Sequence, residues 1–283
     1  MTPEGGHREQ RKICWMPISE MLISSRTNTR VKQLRAAFDG NARLSGGLVA
    51  IEGDHLLAEA VRSGIVPKTV FVSERRAVPD IVPRETEVLR LAGDVFQSAV
   101  ETQSPQGVAA LISPPVYALG DALVGSPLLL IAAGLQDPGN MGTLVRSADA
   151  FGATGVLTTH GTVSAWNQKA LRASVGSVFR VPVVAVTLDD VAGLKMRGVR
   201  LLAAVGAADS QTKPAQDVDF RRACAVMIGN EGAGLGPEWL RVADERVTIP
   251  CPGPVESLNA AIAGSLLLYE ASRQRAAASE VKR

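Results

Sequence analysis

The sequence predicts an α/β protein of two units, the second and larger of which is built on a mainly parallel sheet. Apolar, strand-like segments alternate with helical segments along most of the 283 residues, a pattern typical of sheets layered with helices. In the second half the strand-like segments are nearly continuous apolar runs, as expected where helices cover both faces of a parallel sheet. Three loops that contain glycine or asparagine follow such segments. Ligands collect at the carboxyl ends of parallel strands, so we expect a binding site there.

The first unit follows a polar tail, residues 1–18, and extends over residues 19–113. Helical spacing appears in "NTRVKQLRAAF" and in "DHLLAEAVRSG", where Asp54 is a plausible N-cap and Gly64 a terminator. The segments that favour strands are "GGLVAIEG", "TVFVSE", "EVLRLAG" and "GVAALIS". Proline and glycine then punctuate residues 114–125, which we interpret as a linker between domains.

The second unit spans residues 126–277. Its predicted strands are residues 128–133, 155–159, 181–185, 200–205, 224–228 and 246–249. Its predicted helices include residues 140–151, 166–175 and 256–275.

Composition narrows the class of protein. Hydrophobic residues make up 46% of the chain, charged residues 20% and aromatic residues 4%, which favours a globular protein with an aliphatic core. The formal net charge of +2 does not by itself indicate nucleic-acid binding. The cysteines and histidines are too scattered for a disulfide framework or a metal site: Cys14, Cys224 and Cys251, and His7, His55 and His160. With no apolar signal segment at the start, we expect a cytoplasmic protein without a metal or a membrane span.

The stretch "VMIGNEGAGLGPE", residues 226–238, follows a predicted strand with four glycines. It is not a dinucleotide fingerprint, because Pro237 stands where the third glycine belongs, and it is not a P-loop, because no lysine follows. Glu231 is a poor neighbour for a phosphate. From this stretch alone, a set of tight turns and a ligand loop remain equal alternatives.

Three segments in this order resemble the SpoU/TrmH family of RNA ribose 2′-O-methyltransferases, within the SPOUT superfamily. They are "LQDPGNMGTLVRSADAFGATG", the glycine-rich stretch above, and "IPCPGPVESLNAAIAG". The resemblance covers about residues 126–275. More loosely, "SRTNTRVKQLRAAFDGNARLSGGLVAIEGDHLLAEA" resembles the family's substrate-binding domain. The resemblance implies a deep trefoil knot in the second domain, S-adenosylmethionine as cofactor, and a homodimer.

The resemblance also assigns roles to residues. A cationic sulfonium tolerates Glu231 in a way that a pyrophosphate would not. The implied cofactor contacts are Ala204, Gly229, Asn230, Ile249, Pro250, Leu258 and Asn259, although plain core packing is an alternative for Ile249 and Leu258. The implied catalytic residues are Asn140, Arg146, Glu231, Ser257 and Asn259. Glu231 and Asn259 are open to a second interpretation, in which they only hold the loops together.

Arg146 matches the family's reactive arginine. A guanidinium stays protonated in proteins, so holding a phosphate or stabilising negative charge at the 2′-oxygen suits it better than acting as a base. Whether it is a base or an electrostatic stabiliser stays open at this point. Asp137 and Asp149 are interpreted as caps or surface charges.

A basic cluster near the start of the first unit is the predicted RNA-binding surface: Arg26, Arg30, Lys32, Arg35 and Arg43. A solvated basic helix face is the alternative. By family analogy the extra domain favours 23S ribosomal RNA as substrate, with transfer RNA as the nearest alternative. A non-catalytic knotted RNA-binding factor and a nicotinamide-dependent oxidoreductase are the other classes considered. An apolar stripe at helical spacing, Leu258, Ile262, Leu266 and Tyr269, is an independent hint of a dimer interface, although such a stripe more often belongs to the core.

Overall fold

Two β-sheets, one after the other along the chain, organise the computed structural model, which describes residues 22–206, 211–255 and 257–280. The predicted tail, residues 1–18, lies outside the described residues. Within the described part, no helix is long and apolar enough to cross a membrane. No group of three or more candidate metal-ligating side chains occurs there either.

The first sheet is mixed and is built within residues 22–112. Its strands pair in the order β1-β4-β3-β5-β2, with β5 antiparallel to both of its neighbours and the other pairs parallel. The strands are β1 Leu22–Ile23, β2 Val49–Glu52, β3 Thr69–Ser73, β4 Glu87–Leu91 and β5 Val108–Ile112. The helices are α1 Thr29–Phe38, α2 Ala42–Ser45, α3 Asp54–Arg62 and α4 Gly93–Ala99.

The second sheet is parallel throughout, over the seven strands that the described residues form after residue 127. Its order is β10-β12-β9-β11-β6-β7-β8. The strands are β6 Leu128–Ala132, β7 Gly155–Thr158, β8 Val183–Ala185, β9 Arg200–Ala204, β10 Thr212–Pro214, β11 Cys224–Ile228 and β12 Glu245–Thr248. The helices are α5 Pro138–Ala150, α6 Gln168–Ser174, α7 Leu188–Gly193, α8 Pro237–Val242 and α9 Ala260–Glu280. The predicted α/β class with a mainly parallel second sheet is therefore confirmed, while the trefoil knot stays a prediction.

The central strands β6 and β11 are fully buried, in keeping with their unbroken apolar sequences. Separate clusters of buried side chains cover the two faces of the second sheet. One of these clusters continues into the first domain, where it includes Ile51 and Leu57. The domains are further joined by Arg180, whose guanidinium contacts Glu59 of α3 and Asp149 of α5.

Helices α6 and α9 pack closely against two sides of helix α5. A Cβ on Gly142 would lie 2.3 Å from the carbonyl oxygen of Ala170 in α6, and a Cβ on Gly264 of α9 would lie 2.5 Å from Leu144. Real Cβ contacts are essentially never shorter than 3.0 Å. Gly142 therefore excludes a larger residue, because its contact is with backbone, whereas a larger residue at Gly264 requires the end of the Leu144 side chain to shift. Gly142 of the first family motif is thus explained by helix packing.

The far end of α9 is tied to the opposite, amino-terminal edge of the sheet. The guanidinium of Arg275 donates hydrogen bonds to backbone carbonyls of Ser126, Pro127, Phe220 and Arg222, at 2.7–3.0 Å.

One sequence prediction is wrong, and one strand of the second sheet was not predicted. Asp54 is not an N-cap: α3 begins at Asp54 itself, its N-cap is Gly53, and the Asp54 carboxylate pairs with Arg76 instead. Strand β10 was not predicted, because "TKP" is short, polar and at the sheet edge. The predicted terminator Gly64 does adopt a left-handed φ of +81° after α3.

Candidate active site

A cleft of about 300 Å³ opens at the carboxyl ends of β9, β11 and β12. Its walls come from the ends of those strands, from residues 228–234 and from the segment that leads into α9. Of the predicted cofactor contacts, five line it: Ala204, Gly229, Asn230, Ile249 and Leu258. Pro250 and Asn259 are not among its lining residues. Glu231 is the one charged side chain among the described residues that line the cleft, which suits a cationic ligand better than a phosphate.

Glu231 joins the glycine-rich loop to the start of α5. Its Oε1 accepts hydrogen bonds from the backbone N–H of Asp137 at 3.1 Å and from Nδ2 of Asn140 at 3.0 Å. Its Oε2 accepts from the backbone N–H of Gln136 at 3.3 Å. Burial raises the pKa of Glu231, but these donors outweigh it, so that the pKa lies below its ordinary value of 4.5. The carboxylate is therefore a weak base that is already committed to holding two loops together.

The third motif joins the same network through Asn259. Its Nδ2 donates to Oδ1 of Asn140 at 3.0 Å, while its own Oδ1 accepts from the backbone N–H groups of Ala261 and Ile262 at the start of α9. Asn140 is thus the central member of a chain, Asn259–Asn140–Glu231, which joins all three motifs at the mouth of the cleft. Asp137 is the N-cap of α5, accepting from the N–H of Asn140 at 2.8 Å.

Asn230 shapes the glycine-rich loop from within. Its Oδ1 accepts from the N–H groups of Gly232 and Ala233, and its Nδ2 donates to the carbonyl of Gly134 at 3.0 Å. Its backbone pairs with that of Gly234 as a small antiparallel bridge. The side chain of Asn230 therefore acts on the loop, an interpretation that the sequence did not offer.

Gly229 is required by the packing of the glycine-rich loop itself. A Cβ at this position would lie 2.2–2.3 Å from backbone atoms of Gly234 and Leu235. The loop folds back onto its own beginning there, and only glycine leaves enough space.

Two of the predicted catalytic residues, Arg146 and Ser257, do not join this hydrogen-bond network. Both side chains are exposed. Ser257 lines the cleft. Arg146 projects from α5 and is exposed, and no carboxylate of the described residues forms an ion pair with it. Its guanidinium is therefore available to an anionic ligand.

The basic cluster of the first domain is largely engaged by its own chain. Arg26 pairs with Asp94 at 3.0 Å, Arg30 pairs with Glu87 at 2.7 Å, and Arg35 donates to the carbonyl of Ser98. Lys32 and Arg43 have no such partner within the part of the chain that the structure describes.

The apolar stripe on α9 faces outward, so the core alternative does not hold for three of its members. Ile262, Leu266 and Tyr269 are 52%, 43% and 52% exposed. Leu258 precedes the helix and lines the cleft instead.

Lys169 of α6 is a cation that sequence reasoning missed. Its ammonium lies 2.9 Å from the carboxylate of Asp137, at the first turn of α5. Nothing in the sequence signalled this position, because α6 approaches α5 only in the folded chain.

The same two-domain arrangement occurs in solved structures. The crystal structure of the SpoU methyltransferase AviRb from Streptomyces viridochromogenes, in complex with the cofactor AdoMet, matches with a TM-score of 0.78 at 29% identity over 88% of this chain and 98% of that one. The AdoMet-bound rRNA methyltransferase from Sinorhizobium meliloti matches with a TM-score of 0.76 at 28% identity over 89% and 97% of the two chains. Fold and cleft thus define an α/β RNA methyltransferase with a separate amino-terminal domain.

Sequence comparison identifies the family. Residues 127–269 match the SpoU rRNA Methylase family and residues 28–110 match the MRM3-like substrate binding domain. The 23S rRNA (guanosine(2553)-2′-O)-methyltransferase RlmP of Bacillus subtilis is 36% identical over 248 residues, which is 87% of this chain and 97% of that protein. The chain belongs to the SpoU rRNA methylase family, and the resemblance inferred from the three motifs is confirmed.

Proposed function

We propose that this protein transfers a methyl group from S-adenosylmethionine to a ribose 2′-hydroxyl of 23S ribosomal RNA. The observation that carries the proposal is the Asn259–Asn140–Glu231 chain, which gathers the three family motifs beside the cleft. Arg146 lies on the same helix as Asn140 and pairs with no carboxylate of the described residues. Relatives named as 23S rRNA 2′-O-methyltransferases favour this substrate over transfer RNA.

The cleft suits S-adenosylmethionine in both charge and size. Its volume of about 300 Å³ falls at the lower end of ligand pockets. Apolar side chains of Ile228, Ile249 and Leu258 and the backbone of the glycine-rich loop would hold the adenosine. When bound, the cofactor supplies an electrophilic methyl group on a cationic sulfonium, for which Glu231 is a compatible neighbour.

Arg146 supports the attack of the 2′-oxygen electrostatically. Its guanidinium can hold the phosphate beside the reacting ribose and stabilise the negative charge that develops as the hydroxyl loses its proton. Glu231 is unsuited to accept that proton because its oxygens already accept three hydrogen bonds and its pKa is lowered. Asn140 is fixed from both sides and can orient the ribose, while Ser257 borders the cleft and can donate to either ligand.

Purified protein tests the proposal in two steps. Calorimetric titration should give binding of S-adenosylmethionine and no binding of NAD. Incubation with tritiated S-adenosylmethionine and unmodified transcripts should then label 23S rRNA and leave a transfer RNA mixture unlabelled, with the label at a ribose 2′-oxygen. Tight NAD binding without a response to S-adenosylmethionine contradicts the proposal, and labelling of transfer RNA alone contradicts the choice of substrate.

We also propose that two copies of the chain pair through the exposed stripe on α9. Ile262, Leu266 and Tyr269 present apolar surface beside α5, where the hydroxyls of Ser147 and Ser265 lie 2.6 Å apart. Such a contiguous apolar face is typical of a protein interface. A partner at this face would border the helix that carries Arg146.

Sedimentation velocity at micromolar concentration should show a dimer. Combined Ile262→Glu and Leu266→Glu substitutions should yield monomers. Met196→Glu is the matched control, because Met196 is 94% exposed in the turn after α7 and its variant should remain dimeric. A monomeric wild-type protein refutes this part of the proposal.

A further inference from the structure

A second opening, distinct from the cofactor cleft, lies between the two domains. This interdomain groove has a volume of about 710 Å³. One wall is formed by the end of α1 and the start of β2, and the other by residues 163–172, which include most of α6. The second wall carries the aromatic side chain of Trp166 and the cationic side chains of Lys169 and Arg172.

Lys169 connects this groove to the candidate active site. Its ammonium pairs with Asp137, whose other oxygen caps the N–H of Asn140. A Cβ on Gly139 would lie 3.3 Å from the Lys169 side chain, so the lysine lies directly over the first turn of α5. The groove therefore begins where the predicted catalytic residues are located and leads toward the first domain.

Arg172 continues the cationic wall one helical turn further. Positions three apart face the same side of a helix, so Lys169 and Arg172 project together. Arg172 reaches across to the first domain, where its guanidinium lies 3.5 Å from the carboxylate of Glu101. Both cations are exposed, and ion pairs of exposed side chains contribute little stability. A phosphate can therefore replace either carboxylate at small cost.

Trp166 adds a surface for a base. Its ring is partly exposed in the groove and is supported from behind by Phe179, at a centroid distance of 6.0 Å. An aromatic face beside two cations is the combination that binds unpaired nucleotides, through stacking and phosphate contact.

We propose that the interdomain groove binds the unpaired strand of the substrate RNA beside the target ribose, with phosphates on Lys169 and Arg172 and a base on Trp166. The proposal rests on the proposed function for its choice of ligand. It shifts the RNA contact from the helix α1 cluster, whose arginines are mostly paired, to the α6 wall that adjoins the catalytic motifs.

The test measures RNA binding without cofactor, so that it does not depend on methyl transfer. The probes are a 23S rRNA transcript and fluorescein-labelled decauridylate, titrated at several salt concentrations. The double variant Lys169→Ala/Arg172→Ala should bind both probes more weakly, and for decauridylate its plot of log affinity against log salt should be shallower by about 1.4, or about 0.7 for each lost phosphate contact.

Lys195→Ala is the matched control, because Lys195 is an exposed lysine that pairs with Asp244 at the same 2.9 Å but lies near the opposite edge of the sheet. Its RNA affinity and salt slope should equal those of the wild type. Trp166→Leu should weaken decauridylate binding about tenfold and Trp166→Phe should retain most of it, since phenylalanine keeps a stacking face.

Glu101→Gln separates direct contact from a structural bridge. If Arg172 binds phosphate, removing its competing carboxylate should leave RNA affinity equal or higher. If the Arg172–Glu101 pair only fixes the domains, Glu101→Gln should weaken binding as much as Arg172→Ala, and the proposal is overturned. Melting curves and cofactor titrations of each variant identify any that fail to fold.

The two proposals fail differently. Wild-type RNA binding that the groove variants leave unchanged overturns the groove and spares the methyltransferase function. A wild-type protein that labels no RNA refutes the proposed function, while the binding measurements still report on the groove.

Discussion

Replacing Gly229 by alanine should damage the cofactor cleft through the loop's own packing. The added Cβ would lie 2.2 Å from the carbonyl carbon of Gly234 and 2.3 Å from the N of Leu235. Ordinary contact between such atoms begins near 3.4 Å, so the two ends of the loop must separate by about 1 Å. The backbone hydrogen bonds between Asn230 and Gly234, at 2.9 and 3.1 Å, would then exceed hydrogen-bonding distance.

The cost follows from these two effects. Two lost backbone hydrogen bonds amount to about 1–3 kcal/mol, and forced overpacking adds about 1–3 kcal/mol. The lower ends of these two ranges add to about 2 kcal/mol. If cofactor binding is weakened by that free energy, affinity for S-adenosylmethionine falls at least about 30-fold. Isothermal titration calorimetry measures this change, and a melting curve verifies that the variant is folded.

Gly232→Ala is the matched control within the same loop. The nearest atom to its added Cβ is Oδ1 of Asn230 at 3.6 Å, an ordinary contact. Its affinity should stay within about threefold of the wild type, a change below 1 kcal/mol. Unchanged binding by Gly229→Ala refutes the packing argument. Equal losses at both positions would instead mean that the ligand itself requires glycine.

Three further predictions concern the catalytic cation, the loop carboxylate and the end of α9. Arg146→Ala should lower single-turnover methyl transfer by roughly 100-fold while cofactor affinity changes less than about tenfold. A large loss in Arg146→Lys would favour bidentate geometry over charge, and wild-type transfer by Arg146→Ala at saturating substrates contradicts the assigned role. Because the pKa of Glu231 is lowered, its stabilising effect should be complete above pH 4.5 and lost as the pH falls through the lower, folded-state pKa. The difference in melting temperature between wild type and Glu231→Gln should therefore shrink on acidification below pH 4.5, and a constant difference argues against the carboxylate as the cause. Arg275→Ala should lower the melting temperature by roughly 5–10 °C, since a charged donor to several carbonyls is lost. Arg275→Lys should recover only part of that decrease. An unchanged melting temperature in Arg275→Ala contradicts the prediction.

The sequence predicted the second sheet well because its strands carry their own evidence. β6 and β11 are unbroken apolar runs between polar loops, and burial on both faces follows directly from that pattern. Strand β10 has no such pattern, since it lies at the sheet edge and is defined by its pairing with β12. Its position depends on a neighbour that is distant in the sequence.

The candidate site was predictable as a set of motifs and not as a network. The family resemblance of the three motifs implied that Asn140, Glu231 and Asn259 belong to one site, but which side chain contacts which depends on how the loops meet. The direction of the α9 stripe was left undecided for a related reason. Periodicity identifies an apolar face, and the surrounding helices decide whether it is buried.

The strand order of the second sheet has a consequence for how the protein is made. Strand β11, at the centre, pairs with β6 on one side and β9 on the other, with Val226 opposite both Leu130 and Leu202. During synthesis β6 leaves the ribosome long before β11 exists, so the middle of the sheet stays open until most of the chain has emerged. The first domain, whose sheet is complete by residue 112, can fold ahead of it. Parallel pairing between distant segments is intrinsically slow. A nascent chain stalled before residue 224 should therefore expose β6 and β9, two apolar strands without their common neighbour. Such a chain should depend on protection from aggregation until β11 has been synthesised.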